Sequence, residues 1–299
     1  MNFNKDYPIA ILDTNIAITV PNILNILKGC NIVIPYTLIK ELDKVKKENA
    51  YGVRDFVNNF LALSEKANLS KDGYKLENDC MLYIDRDNLT HKEVKLDLTA
   101  NKEDIEFIAE AKNLKEKYNY MEVVLISSDK IMKITASIFD VKVKFLEEFI
   151  MEYLREEFKL NILFDLLVES KYYEENYNRV SEIIFKIVSD NKDIDGLYKL
   201  SESYHPNKRV YAKVYNPNEE VYQKIFEILS ENKDIDGLYK LSEIYKSKKI
   251  HETIFNILAE NKDIDGLHKL KSSLSRTGMY YTDLHKKIDY KIRKLENNK

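Results

Sequence analysis

The sequence predicts an α/β domain followed by an all-α repeat array. Three observations carry that expectation. Short apolar runs alternate with helix-period segments up to about residue 147; strand signals then stop; and a 14-residue phrase afterwards occurs three times. The expected domains are residues 1–148 and 149–299, and a chain of 299 residues is long enough for both.

In the first half, Ile9 to Leu12 is a short buried strand, and Ile16 to Leu27 has helical spacing. Asn31 to Ile34 reads as a second strand, with Pro35 opening a helix, where its missing N–H costs nothing. That helix is expected to run through Leu42 and Val45 and to be interrupted at Gly52 before Phe56, Phe60 and Leu63. Asp72-Gly73 and Asn78-Asp79 are turn chemistry, and Met81 to Ile84 is a strand. A helix resumes from Asn101, with Ile105, Ile108 and Ala109 on one face. A strand over Glu122–Ile126, a helix over Lys130–Ser137 and a last strand over Val141–Leu146 follow. Strands separated by helices imply a mainly parallel sheet covered on both faces.

In the second half, the phrase from Ile184 to Leu197 returns from Ile225 and again from Ile254, at offsets of 41 and 29 residues. The basic unit is therefore 29 residues, with a 12-residue insertion around His205-Pro206-Asn207 and Tyr215-Asn216-Pro217-Asn218 in the first copy. Each unit, near 183–204, 224–246 and 253–274, fits two short helices. Ile225, Ile228 and Leu229 mark one apolar face and Leu238, Leu241 and Tyr245 the next. Neither helix can bury its face alone, so stacked neighbours supply the core, as in an α-solenoid. Ile162 to Leu167 reads as a degenerate first unit capping the stack.

Composition narrows the function classes. The formal charge is -3, with 21 basic and 24 acidic residues up to position 150 and 26 of each after it. Neither half is a basic module, so any nucleic-acid contact is local. Cys30 and Cys80 are isolated and not at ligand spacing, which points to reduced thiols in a cytoplasm. No apolar run reaches the roughly 18 residues of a membrane span, and the start lacks a signal-peptide pattern.

Four acids stand out. Asp13 and Asp129 directly follow apolar strands, and Glu41 and Asp104 lie in the first turns of helices. Each has a local explanation: Asp13 and Asp129 as N-caps, Asp104 in a capping box with Asn101, and Glu41 as an exposed acid between Lys40 and Lys44. Together they belong on the carboxyl edge of a parallel sheet, where open α/β folds bind ligands. Four carboxylates there resist ionisation unless cations offset them, and their hard oxygens suit Mg²⁺ or Mn²⁺.

The blocks Leu12-Asp13-Thr14-Asn15, Ile34-Pro35 through Glu41-Leu42-Asp43-Lys44, Asn101 through Asp104 and Ile126-Ser127-Ser128-Asp129-Lys130 resemble, in order and context, the four signature blocks of PIN-domain nucleases. The sequence is most similar to the branch found in front of PhoH-like ATPases, with Tyr51-Gly52-Val53-Arg54 in the place of that branch's glycine–arginine element. No phosphate-binding Gly-x-x-x-x-Gly-Lys-Ser/Thr loop follows, and the helical tail has no counterpart in stand-alone family members. The resemblance covers roughly residues 6–148. It implies a three-layer α/β/α sandwich and endoribonuclease activity leaving a 3′-hydroxyl and a 5′-phosphate, with Asp13, Glu41, Asp104 and Asp129 as catalytic Mg²⁺ or Mn²⁺ ligands. Thr14, Asn15 and Ser127 would position ligands or water, and Arg54, Lys130 and Lys133 would hold phosphate. By analogy with the family a homodimer is expected, and the repeats would recruit a protein partner or RNA. The rival reading is a non-catalytic PIN fold that binds RNA or protein, with the helical repeats as its working surface.

The repeated Asn-Lys-Asp-Ile-Asp-Gly also matches part of a calcium loop: Asn191, Asp193, Asp195, Gly196 and Glu202 fall at its ligand and turn positions. A turn with an Asp N-cap explains it better, since the third copy ends on Ser272 and Leu197 and Leu200 form a core face. Tail tyrosines (Tyr172, Tyr173, Tyr177, Tyr280, Tyr281) read as packing between helices, and Lys246 to Lys249 as a basic connector.

Overall fold

The computed structural model describes residues 1–46, 51–85, 102–169, 174–203, 217–245, 247–276 and 282–297. Asn101, the part of the insertion at 204–216, Tyr172, Tyr173, Tyr280, Tyr281 and Lys246 lie outside these residues, as does the join at 47–50. The chain divides into two compact units, Met1–Ile184 and Phe185–Lys299.

The first unit is built on one six-stranded sheet. Its strands are β1 (Ile9–Leu12), β2 (Asn31–Pro35), β3 (Tyr74–Lys75), β4 (Met81–Asp85), β5 (Val123–Ile126) and β6 (Lys142–Lys144), in the spatial order β3-β4-β2-β1-β5-β6. Every pairing is parallel except that of the two-residue β3 with β4. The central β1 is apolar throughout because helices cover both faces of the sheet: all four of its residues are 0 % exposed. Burying each such Ile or Leu contributes about 1.5–3 kcal/mol.

Its helices are α1 (Thr14–Thr19), α2 (Ile23–Ile26), α3 (Tyr36–Lys46), α4 (Tyr51–Ser64), α5 (Lys102–Lys117), α6 (Lys130–Ser137), α7 (Leu146–Tyr153), α8 (Glu156–Glu169) and the first part of α9 (Glu174–Asp190). The single helix expected over residues 16–27 is two, because Pro21 can neither donate a helical bond nor sit inside a turn without clashing. Pro35 closes β2 opposite Asp85 instead of opening α3, and Gly52 lies within α4. At the turn before β3, Gly73 has φ +69°, and a Cβ there would stand 2.4 Å from the Tyr83 ring, so no other residue fits. The segment expected to cap the repeats, Ile162 to Leu167, is instead part of α8, which packs on α2 and α7 in the first unit. The expected join near residue 148 falls at the start of α7, in that same unit.

The second unit continues α9 and adds α10 (Ile194–Ser203), α11 (Pro217–Glu231), α12 (Ile235–Ile244), α13 (Lys248–Glu260), α14 (Ile264–Arg276) and α15 (Thr282–Glu296). From α10 to α15 each helix packs on the next, as a stack of hairpins requires. The repeated phrase is a helix stop joined to a helix start. In the second copy Lys233 adopts φ +52°, its N–H reaches the Ser230 carbonyl at 3.1 Å, and the Asp234 N–H reaches Leu229 at 2.9 Å, a Schellman stop. The Asp234 side chain then accepts from the Gly237 N–H at 2.9 Å and caps α12. Asp193 with Gly196 and Asp263 with Gly266 repeat that cap at 2.9 and 2.8 Å. The aspartates expected at a turn are therefore consumed as caps, which accounts for the calcium-like spacing.

Successive units are tied by their side chains. Lys240 sits 4.7 Å from the centre of the Tyr198 ring, and Lys269 4.9 Å from that of Tyr239. Lys192 pairs with Glu231 at 2.8 Å and Lys233 with Glu260 at 3.1 Å. Burial pushes the Tyr198 and Tyr239 hydroxyls up to about 12, with Asp234 and Asp263 respectively adding to it. Among the described residues, no helix is long and apolar enough to cross a membrane.

Candidate active site

β1 lies between β2, its immediate successor in the chain, and β5, which the chain reaches only after crossing the sheet. The connections leaving β1 toward β2 and leaving β5 toward β6 thus diverge, and the carboxyl ends of these two strands are where open sheets of this kind form a crevice. Leu12 stands opposite Ile126, so Asp13 and Ser127 emerge side by side. The Asp13 N–H completes the ladder by donating to the Ile126 carbonyl at 3.0 Å.

Asp13 is 3 % exposed and occupies the N-cap position of α1, yet its side chain makes no capping bond. Its Oδ2 instead accepts from Ser127 Oγ at 2.6 Å, and Asn15 Nδ2 approaches the same oxygen at 3.4 Å. Ser127, itself fully buried, also accepts from the Asp129 N–H at 3.0 Å. One hydroxyl therefore sets the positions of two acids. Asp129 does cap α6: its Oδ1 accepts from Ile131 N at 2.6 Å and Met132 N at 3.2 Å. The local explanation is thus correct for Asp129 and incorrect for Asp13.

Glu41, on the second turn of α3, is half-buried and accepts a hydrogen bond from Thr14 Oγ1. That contact joins α3 to the end of β1. Asp104 lies in the first turn of α5, and its expected capping partner Asn101 is outside the described residues. Arg54 near the start of α4 and Lys130 at the start of α6 are exposed. Lys133 donates to both oxygens of Glu148, at 2.8 and 3.1 Å.

The four acids act on one another electrostatically. Burial holds the Asp13 carboxyl up at about 6, opposed by the Ser127 bond and raised further by the charges of Glu41 and Asp104. Asp104 is also up at about 6, from burial and then from the charges of Asp129, Glu41 and Glu103. Burial likewise raises Glu41, with the Thr14 bond opposing it. Like charges brought near one another in a partly buried site repel, so full ionisation of these carboxylates is disfavoured unless protons or cations offset it. Of the nearby lysines, Lys44 bonds Glu103 at 2.9 Å and also acts on Glu41, and Lys40 lies 3.9 Å from Glu106.

Glu103 and Glu106 were not singled out from the sequence, although both share α5 with Asp104, and Thr37 Oγ1 donates to Glu106 at 2.7 Å. Asp85, buried at the end of β4 on the same sheet edge, was also missed. The signal for it was its place directly after an apolar run, as for Asp13 and Asp129. Among the described residues, no three Asp, Glu, His or Cys side chains cluster tightly enough to hold a metal ion as they stand. The donor chemistry nevertheless fits a hard divalent ion: uncharged hydroxyls orient the carboxylates of Asp13 and Glu41.

Residues 10–147 match the family described as PIN domain. No curated protein matches the chain. A solved structure described as a domain of a functionally unknown protein from Methanocaldococcus jannaschii DSM 2661 is similar at 20 % identity and a TM-score of 0.30, over 50 % of this chain and 94 % of that one.

Proposed function

Because residues 10–147 are a PIN domain, we propose that the chain is a Mg²⁺- or Mn²⁺-dependent endoribonuclease acting at the carboxylates around Asp13. The observation that supports this reading is that Ser127 links Asp13 to the Asp129 backbone, Thr14 links Glu41 to the end of β1, and Asp104 feels the charges of Asp129 and Glu41. Asp13, Glu41, Asp104 and Asp129 would hold the ion. When bound, it would supply Lewis acidity toward the scissile phosphate.

In this reading Ser127 keeps Asp13 Oδ2 oriented and Thr14 keeps Glu41 facing β1, so that neither acid must reorganise when an ion arrives. Asn15 assists at Asp13. Lys130 and Arg54 would steady RNA phosphates from the exposed helix starts. The helical repeats would engage a partner or a further stretch of RNA. A second copy of the chain would find an apolar surface on α6, where Ile131, Ile134 and Ile138 are each more than two-thirds exposed.

The test is RNA cleavage by the purified full chain in Mg²⁺ or Mn²⁺. Cleavage should vanish with EDTA and in the double variant D13N/D129N, with helical content unchanged. Undiminished cleavage by that variant would overturn the proposal. The non-catalytic reading is favoured by the loose spacing of the acids. It predicts RNA binding that survives D13N/D129N with no cleavage by the unsubstituted chain at any metal concentration.

A further inference from the structure

The chain has two cysteines, and the fold brings them together. Cys30 immediately precedes β2 and Cys80 immediately precedes β4. These strands pair in parallel with Asn31 opposite Met81, so the residues just before them also face each other, at the amino edge of the sheet and away from the acidic crevice. Both thiols are free and 0 % exposed, and their sulfurs are 3.6 Å apart. Opposed residues on adjacent strands have Cα atoms roughly 5 Å apart. A disulfide needs about 4.4–6.8 Å between Cα atoms and about 2.05 Å between sulfurs. The sulfurs must therefore approach by about 1.5 Å, from strands whose pairing already holds the backbones at the spacing a disulfide needs.

We propose that Cys30 and Cys80 are a redox pair that a hydroperoxide converts to an intramolecular disulfide, stapling β2 to β4. Cys80 is the attacking sulfur. The Cys30 thiol and the backbone N–H groups of Cys30 and Gly29 face it and favour its thiolate, whereas the neighbouring sulfur and burial hold the Cys30 thiol up. Before ionisation the Cys80 thiol donates to the Leu27 carbonyl at 3.3 Å.

In the first step Cys80 loses its proton to solvent and forms an S–O bond as the peroxide O–O bond breaks. The leaving alkoxide or hydroxide takes up a proton. In the second step the Cys30 sulfur forms the S–S bond, the S–O bond breaks, and hydroxide leaves with the Cys30 proton as water. Two thiols are oxidised by two electrons, and one hydroperoxide is reduced to an alcohol and water.

The route in is the hairpin that covers the pair. β3 has only two residues and sits at the sheet edge, and Asn78 fastens the following turn to the Leu24 and Leu27 carbonyls at 2.8 and 2.6 Å. Opening such a weakly paired edge costs less than global unfolding.

The experiment treats the native full chain with a few equivalents of hydrogen peroxide, then alkylates it under denaturing conditions. The expected result is an intact mass lower by about 2 Da, a linked Cys30–Cys80 peptide in the non-reduced digest, and resistance to alkylation. The Tm should rise by about 10 °C and return on adding dithiothreitol. C30A and C80A should each abolish the mass change, but the unsubstituted chain alone suffices to decide. An unchanged mass with both thiols alkylated, sulfinic acid, or disulfides only between chains would each overturn the proposal. None of these readouts depends on RNA cleavage.

Discussion

Burying the carboxylate of Asp13 without a cation costs stability, and the cost has a definite pH dependence. In the folded state its proton is released at about 6 instead of the ordinary 3.8, and Asp104 shifts the same way. A folded state that holds its protons more tightly than the unfolded chain is favoured at low pH. The contribution is therefore full below about 3.8 and lost as pH rises through about 6. In metal-free buffer the Tm should fall from pH 4 to pH 7 as these two groups ionise, and Mg²⁺ or Mn²⁺ should restore it; calorimetry across that range checks the sign. Metal affinity should rise over the same interval, because binding must displace the remaining protons. D13N keeps an acceptor for Ser127 and removes the charge, so it should stabilise the metal-free protein by about 1–2 kcal/mol at pH 7 while removing cleavage. A lower Tm for D13N would show that the Asp13 charge is already compensated in the fold. The sequence pointed to Asp13 and Asp129 by the same criterion, an acid after an apolar run. Their different uses, one facing the crevice and one capping α6, depend on the Ser127 hydroxyl and the cap geometry, which residue type does not encode.

The helix stop-and-start of the repeats makes separate predictions. D234A removes the α12 cap and should cost about 1 kcal/mol. Helix propensity alone would have Gly237→Ala gain up to about 1 kcal/mol. The added Cβ, however, would lie 2.4 Å from Leu229 Cδ2 and 2.6 Å from Asp234 Oδ2. Steric conflict and loss of the cap outweigh propensity, so G237A should destabilise by about 1–3 kcal/mol. Because one of the clashing groups is the capping carboxylate, the double variant D234A/G237A should cost less than the sum of the two, which a denaturant double-mutant cycle measures. The unit boundaries and the Asp caps were legible because the phrase repeats. The left-handed Lys233 was not, since lysine carries no preference for that backbone region. The break at Pro21 was readable in principle; the apolar period on both sides of it masked two short helices as one.

Across the whole molecule, each unit has its own buried core. D13N in the first and D234A in the second share no partner, and their effects on stability should add to within about 0.5 kcal/mol; a larger discrepancy in combined denaturation would mean the units are energetically coupled. The α/β character of the first half and the helical hairpins of the second followed from periodicity. Which strand lies in the middle did not, because strand order depends on how crossovers pack and not on any local pattern. That order decides what meets: β1 beside β5 gathers the acids, and β2 beside β4 gathers the cysteines, which looked isolated along the chain. The position of α8 was hidden for the same reason, since an apolar helix serves a sheet or a stack equally well. One consequence lies in how the tail could change over generations. Every copy carries its own termination and initiation signals, so slippage during DNA replication that adds or deletes a whole 29-residue module would create no new kind of junction. Its length could thus drift in fixed steps while the α/β half stays untouched.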